Sequence, residues 1–116
     1  MARSEVTVQS LSAYNTKGTV TKDAFDASND HSIDVENVKT SNLAVFVEWT
    51  NTAAMSVVFK GGDFSDNGIG DLTLTGGSAK TEVVVLESAR FKDEDELILI
   101  DVTGTGAGYI YAVELP

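Results

Sequence analysis

The chain has 116 residues, 42% of them hydrophobic, with 18 acidic against 8 basic side chains and a formal net charge of −10. That length suits one globular domain with a single core, and the negative field disfavours nucleic acid as a partner. Cysteine is absent, which excludes disulfides, thiolate catalysis and cysteine metal sites. No apolar run approaches the ~18 residues of a spanning helix, so no membrane partner is expected. Met1-Ala2-Arg3-Ser4-Glu5 runs straight into strand-like writing without a signal-peptide core, which predicts synthesis and use without secretion.

In chain order, Ser4 to Leu11 reads as a first strand with Val6 and Val8 on one face. Tyr14 to Asp30 is rich in Thr, Asn, Asp and Ser and reads as a long loop. A short strand is placed at Gly18 to Lys22, and a helical turn over Asp23 to Ala27 is too short to stand alone. His31 to Val38 alternates through Ile33, Val35 and Val38. Asn42 to Thr50 is the strongest strand, with Leu43, Val45, Val47 and Trp49 on one face. Asn51-Thr52-Ala53-Ala54 is expected to turn it into a hairpin with Met55 to Lys60. Asp71 to Thr75, a Gly76-Gly77 turn and Lys80 to Leu86 follow. Val83-Val84-Val85-Leu86 is apolar on both faces and is expected to be covered on both. A short piece at Ala89-Arg90-Phe91 and an acidic turn at Asp93 to Glu96 precede Leu97 to Val102. Thr103 to Gly108 reads as a hairpin loop into the last strand, where Tyr109, Tyr111, Val113 and Leu115 alternate with Ile110, Ala112 and Glu114. The sum is about eight to ten short strands without a substantial helix. An all-β, antiparallel β-sandwich of jelly-roll type over residues 1–116 is the expectation.

Residues able to do chemistry are sparse. His31 is the only histidine, and the adjacent Ser32 and Asp34 do not make a triad, which is assembled across a fold. Asp63, Asp66 and Asp71 could supply oxygen ligands to calcium, but their spacing misses the calcium-loop pattern and reads equally as turn chemistry. Asp93-Glu94-Asp95-Glu96 reads as a solvated turn rather than a glycosidase pair. Gly104-Thr105-Gly106-Ala107-Gly108 lacks the lysine and helix of a phosphate loop. No catalytic residue, cofactor or enzyme activity is expected. Trp49, Tyr109 and Tyr111 form either a sugar-stacking platform or a core and subunit interface. Two readings account for strands apolar on both faces: trimerisation that buries an outer face made of Val84, Leu86, Ile98, Ile100 and Ile110, or a core with loops folded over both sheets.

Three phrases carry a resemblance: Val6 to Asn15 (VTVQSLSAYN), Gly70 to Gly77 (GDLTLTGG) and Tyr111 to Pro116 (YAVELP). Together they resemble small all-β virion proteins of tailed bacteriophages, some of which decorate the head. The resemblance implies a sandwich or jelly-roll protomer, often trimeric, made in the host cytoplasm and docked on the major capsid protein of an assembled shell. It transfers no binding motif, and the Asp63 to Gly70 loop is longer than the turn it implies. On this reading Ala2 to Val8, including Arg3, Glu5, Val6 and Val8, is an arm or edge strand that reaches a capsid-protein edge and is dispensable for folding. A tail or baseplate component, or a calcium-dependent carbohydrate-binding module, is the alternative.

Overall fold

The computed structural model describes residues 3–11, 18, 20–38, 42–62, 70–87 and 91–116. The chain is all-β. Its strands are β1 (Ser4–Glu5), β2 (Val8–Ser10), β3 (Asp23–Ala24), β4 (His31–Asp34), β5 (Leu43–Trp49), β6 (Met55–Phe59), β7 (Leu72–Thr75), β8 (Lys80–Leu86), β9 (Leu97–Gly104) and β10 (Gly108–Glu114). They form two mixed sheets, ordered β1-β4-β9-β6-β7 and β2-β10-β5-β8, with β3 also pairing with β10. Most pairs are antiparallel, as expected for a sandwich. The N-terminal strands depart from this, because β1 lies parallel to β4 and β2 parallel to β10.

The inward face of each strand builds the core between the sheets. Ile33, Ile98, Ile100, Val57 and Phe59 of the first sheet are fully buried, as are Leu43, Val45, Val47, Ile110 and Ala112 of the second. Each inward stripe is a period-two series, so burying every second residue suffices.

Of consecutive strands, only β6 and β7 pair with one another. This corrects the expected hairpin between Asn42–Thr50 and Met55–Lys60, since β5 and β6 belong to opposite sheets. Thr103 to Gly108 likewise carries β9 over to β10 in the other sheet rather than closing a hairpin. The two crossing loops satisfy one another. Thr50 N–H donates to the Ala107 carbonyl at 3.0 Å and Thr105 N–H to that of Ala54 at 3.1 Å. The Asn51 side chain accepts from Ala107 N–H at 3.3 Å. An apolar stripe is buried equally well beside its sequence neighbour or facing it, which is why pattern alone pointed to a hairpin. Gly104 sits in this junction at φ +117, and a Cβ there would run into the Ala54 carbonyl.

The first strand of the sequence reading is split. β1 joins the first sheet, Val6 is fully buried, and β2 joins the second. The short strand of the following loop lies at Asp23–Ala24, not at Gly18 to Lys22. No helical turn forms over Asp23 to Ala27. The Asp26 carboxylate instead accepts from the N–H groups of Ser28 and Asn29 and closes a turn over residues 27–29.

Candidate interaction surface

The two outward faces of the sandwich differ in how much apolar surface they expose. On the first sheet, Arg3 pairs with Asp101 at 2.8 Å, and Lys60 pairs with Asp71 at 3.1 Å. Outward positions of β6 and β7 there include Ser56, Thr73 and Thr75. That face also carries Val58, Leu97 and Leu99 at half-buried outward positions, so it mixes charged, hydroxyl and apolar groups.

The outward face of the second sheet is apolar. Strand pairing sets Val83, Phe46 and Tyr111 side by side across β8, β5 and β10, and sets Val85 in the next row beside Ala44 and Val113, which are themselves buried. The Phe46 and Tyr111 rings stack with centroids 5.0 Å apart and planes within 5°. Val83 and Val85 are 54% and 63% exposed, and Tyr109 and Leu115 extend the same face along β10. At one end Lys22 Nζ lies 3.1 Å from Glu48 Oε1 and 5.1 Å from the centre of the Tyr109 ring. The hydrogen bond to Glu48 raises the Lys22 pKa above its ordinary value. Exposed apolar side chains gathered on one sheet face and rimmed by polar groups make this the candidate interaction surface.

Several expected residues lie elsewhere. Val83 and Val85 are open to solvent, so this stretch of strand is covered on its inward side only. Leu86, Ile98, Ile100 and Ile110 are core, and Val84 packs against it, so none of the five forms an outer face. Parity decided this: the sequence shows two apolar stripes on each strand but not which one turns inward.

Trp49 is 2% exposed, with Phe25 edge-on to it at 6.5 Å and Lys80 Nζ 5.4 Å from its ring centre. It faces the core, while Tyr109 and Tyr111 face outward, so the three do not form one platform. Gly76 packs against the Trp49 indole so closely that a Cβ there would strike its nitrogen. Phe46, Val83, Val85 and Leu115, absent from the sequence-derived candidates, carry the surface together with the tyrosines. Phe46 shares the parity opposite to Trp49, and that offset was the available signal.

The N-terminal candidates are built into the sandwich. Arg3 Nη1 donates to the carbonyls of His31 at 3.2 Å and Ile100 at 3.1 Å, as well as pairing with Asp101. Val6 is fully buried, Val8 packs against the core, and Glu5 is exposed on β1. Residues 3–8 are therefore edge strands and core rather than a free arm, in line with the edge-strand form of the expectation.

His31 is 1% exposed. Its Nε2 accepts from Asp26 N–H at 3.0 Å, so Nδ1 carries the proton and donates to the Ser4 carbonyl at 3.3 Å. Burial pushes its pKa below the usual imidazole value, against the opposing pull of the Ser4 carbonyl and then Asp26. The ring is a clasp between β1, β4 and the turn before it.

Asp71 accepts from Gly61 N–H at 2.7 Å and then from Lys60, which together lower its pKa. Asp63 and Asp66 lie outside the described residues. Among the described residues, no three His, Asp or Glu side chains gather as a metal site would require. The Asp93 carboxylate caps Asp95 N–H at 2.9 Å and Leu97 N–H at 3.0 Å, making the acidic stretch a turn. No helix among the described residues is long and apolar enough to cross a membrane. Comparison of the chain with family models, curated proteins and solved structures finds no match in any of the three.

Proposed function

We propose that this chain is a bacteriophage capsid-decoration protein that binds the outer surface of an assembled head and stabilises capsomer junctions without covalent chemistry. The observation that carries the reading is the apolar outward face of the second sheet, with Val83 and Val85 more than half exposed around the Phe46–Tyr111 stack. The resemblance of the three sequence phrases to small phage virion proteins supplies the identity of the partner. The net charge of −10 favours a shell surface that carries basic side chains around an apolar contact. A standard contact buries about 800 Å² per partner, within reach of one face of a small sandwich. A ligand that binds only the assembled shell raises the shell's stability by mass action. Homo-oligomerisation multiplies a weak single contact through avidity.

The test is co-sedimentation of the full chain with purified phage heads stripped of decoration protein. Saturable binding is expected, with Y109S and Y111S each weakening it by about tenfold, the cost of losing an aromatic anchor. Absence of saturable binding to heads would sink the proposal. Binding to isolated tails alone would move it to the baseplate. Calcium-dependent binding to glycans without particle association would replace it with the carbohydrate-binding alternative.

A further inference from the structure

The free edge of β8 differs from every other described edge of the sandwich. The first sheet ends on β1, of 2 residues, and β7, of 4 residues. The far edge of the second sheet is made of β2, of 3 residues, and β3, of 2 residues. Short edges offer an incoming strand little to pair with, and this is one way proteins protect them. β8 runs for 7 residues in unbroken register from Trp49↔Lys80 to Leu43↔Leu86, and no described strand pairs with its other side. It contains neither proline nor bulge. Its outward valines, Val83 and Val85, are the most exposed large hydrophobic side chains among the described residues.

We infer that a second copy of this chain adds its own β8 to this edge, antiparallel, across a two-fold axis at Val84. The backbone states the kind of partner, because a free row of ladder N–H and C=O groups is matched by another extended strand. The side-chain pattern selects a copy of the same strand. The valine run Val83 to Val85 is symmetric about Val84, so an antiparallel copy sets valine against valine with no like charges directly opposed, whereas in-register parallel pairing sets Lys80 against Lys80 and Glu82 against Glu82.

Side chains then select the register. With Val84 opposite the second copy's Val84, Val83 stands opposite its Val85, and Val85 opposite its Val83. Glu82, held 3.4 Å from Lys80 within its own strand, then meets a leucine. Centring the pair on Glu82 would oppose two carboxylates, and centring it on Val83 would set each Val85 against a threonine. Such an isologous pair closes at two copies, not the three that the resemblance implies. The pairing is lateral and leaves both outward faces open and continuous, so it neither requires nor blocks docking to a shell.

Sedimentation velocity of the full chain over a wide concentration range tests this, beside V83K/V85K and V83E/V85E chains whose folding is verified by circular dichroism and melting. Wild type should convert reversibly from one copy to two. Each charged chain should need a concentration at least about tenfold higher, because like charges then stand opposite one another. An equimolar mixture of the two charged chains should restore a one-to-one pair. As a second readout, a V84C chain, whose thiol is unique in a cysteine-free sequence, should cross-link to its copy under mild oxidation. A wild type that stays single at the highest attainable concentration overturns the inference. So does one that assembles as three copies, or pairs that ignore both charged chains.

Discussion

His31 shows how one buried side chain couples the fold to pH. Burial holds its folded pKa below the unfolded value near 6.5. Between the two values the unfolded chain binds a proton that the folded chain does not, so acidification favours unfolding. Stability should therefore be full above about pH 6.5 and fall as pH drops through the lower folded value. Urea unfolding at a series of pH values checks this, and an H31Q chain should lose that slope. Asp26 produces a separate, more acidic window. Its bonds from Ser4 first, then Asn29, lower its pKa from 3.8 to about 2, so its contribution is lost as pH falls through that range. Gly104 makes a different residue-scale point. At φ +117, G104A should destabilise by more than about 1 kcal/mol, since the left-handed backbone and the Ala54 carbonyl both oppose a Cβ. Equilibrium unfolding of the variant measures it. The histidine was visible in the sequence as the only one of its kind, but its tautomer and partners come from β1 and the Asp26 turn folding against it.

At the scale of elements, the period-two pattern identified nearly every strand, and it failed where two apolar stripes competed. For β8 and β9 the alternation marks both faces, and only packing chooses the inward one. That choice is testable by paired substitutions. I100A should cost about 2–5 kcal/mol, as large-to-small core changes do, whereas V85A should stay within about 0.5 kcal/mol. Equal losses in chemical unfolding would contradict the assigned parity. The N-terminal segment makes the same case from the other direction. Val6 looks in the sequence like one residue of a detachable strand, yet it is fully buried where the chain passes from one sheet to the other. Removal of residues 1–8 should lower the melting temperature or abolish folding, because it deletes β1, opens the core at Val6 and frees the His31 clasp. A truncated chain that melts like the full one would show that β1 and Val6 contribute nothing.

Across the whole molecule, the asymmetry between the two outer faces is the feature with functional weight. One carries the part-buried Arg3–Asp101 pair and the exposed Lys60–Asp71 pair, the latter of which adds little stability. The other exposes valine and tyrosine side chains that a partner, on the proposed reading, would remove from water. On the proposed reading, the −10 charge would supply the long-range part of recognition. If a basic shell surface is the partner, attachment to heads should weaken and slow as salt is raised, since screening shortens the reach of the field. Salt-independent attachment measured by co-sedimentation would assign the contact to apolar burial alone.

The sequence by itself determined the all-β class, the strand segments and the scarcity of reactive groups, because these depend on local alternation, turn residues and composition. Which strands share a sheet, which stripe turns inward and where the N-terminal strands pair were decided only in three dimensions. The physical reason is that an apolar stripe gains the same burial from any apolar neighbour, so the crossing loops, the close approach at Gly104 and the contact between facing sheets had to choose among pairings that alternation leaves equivalent.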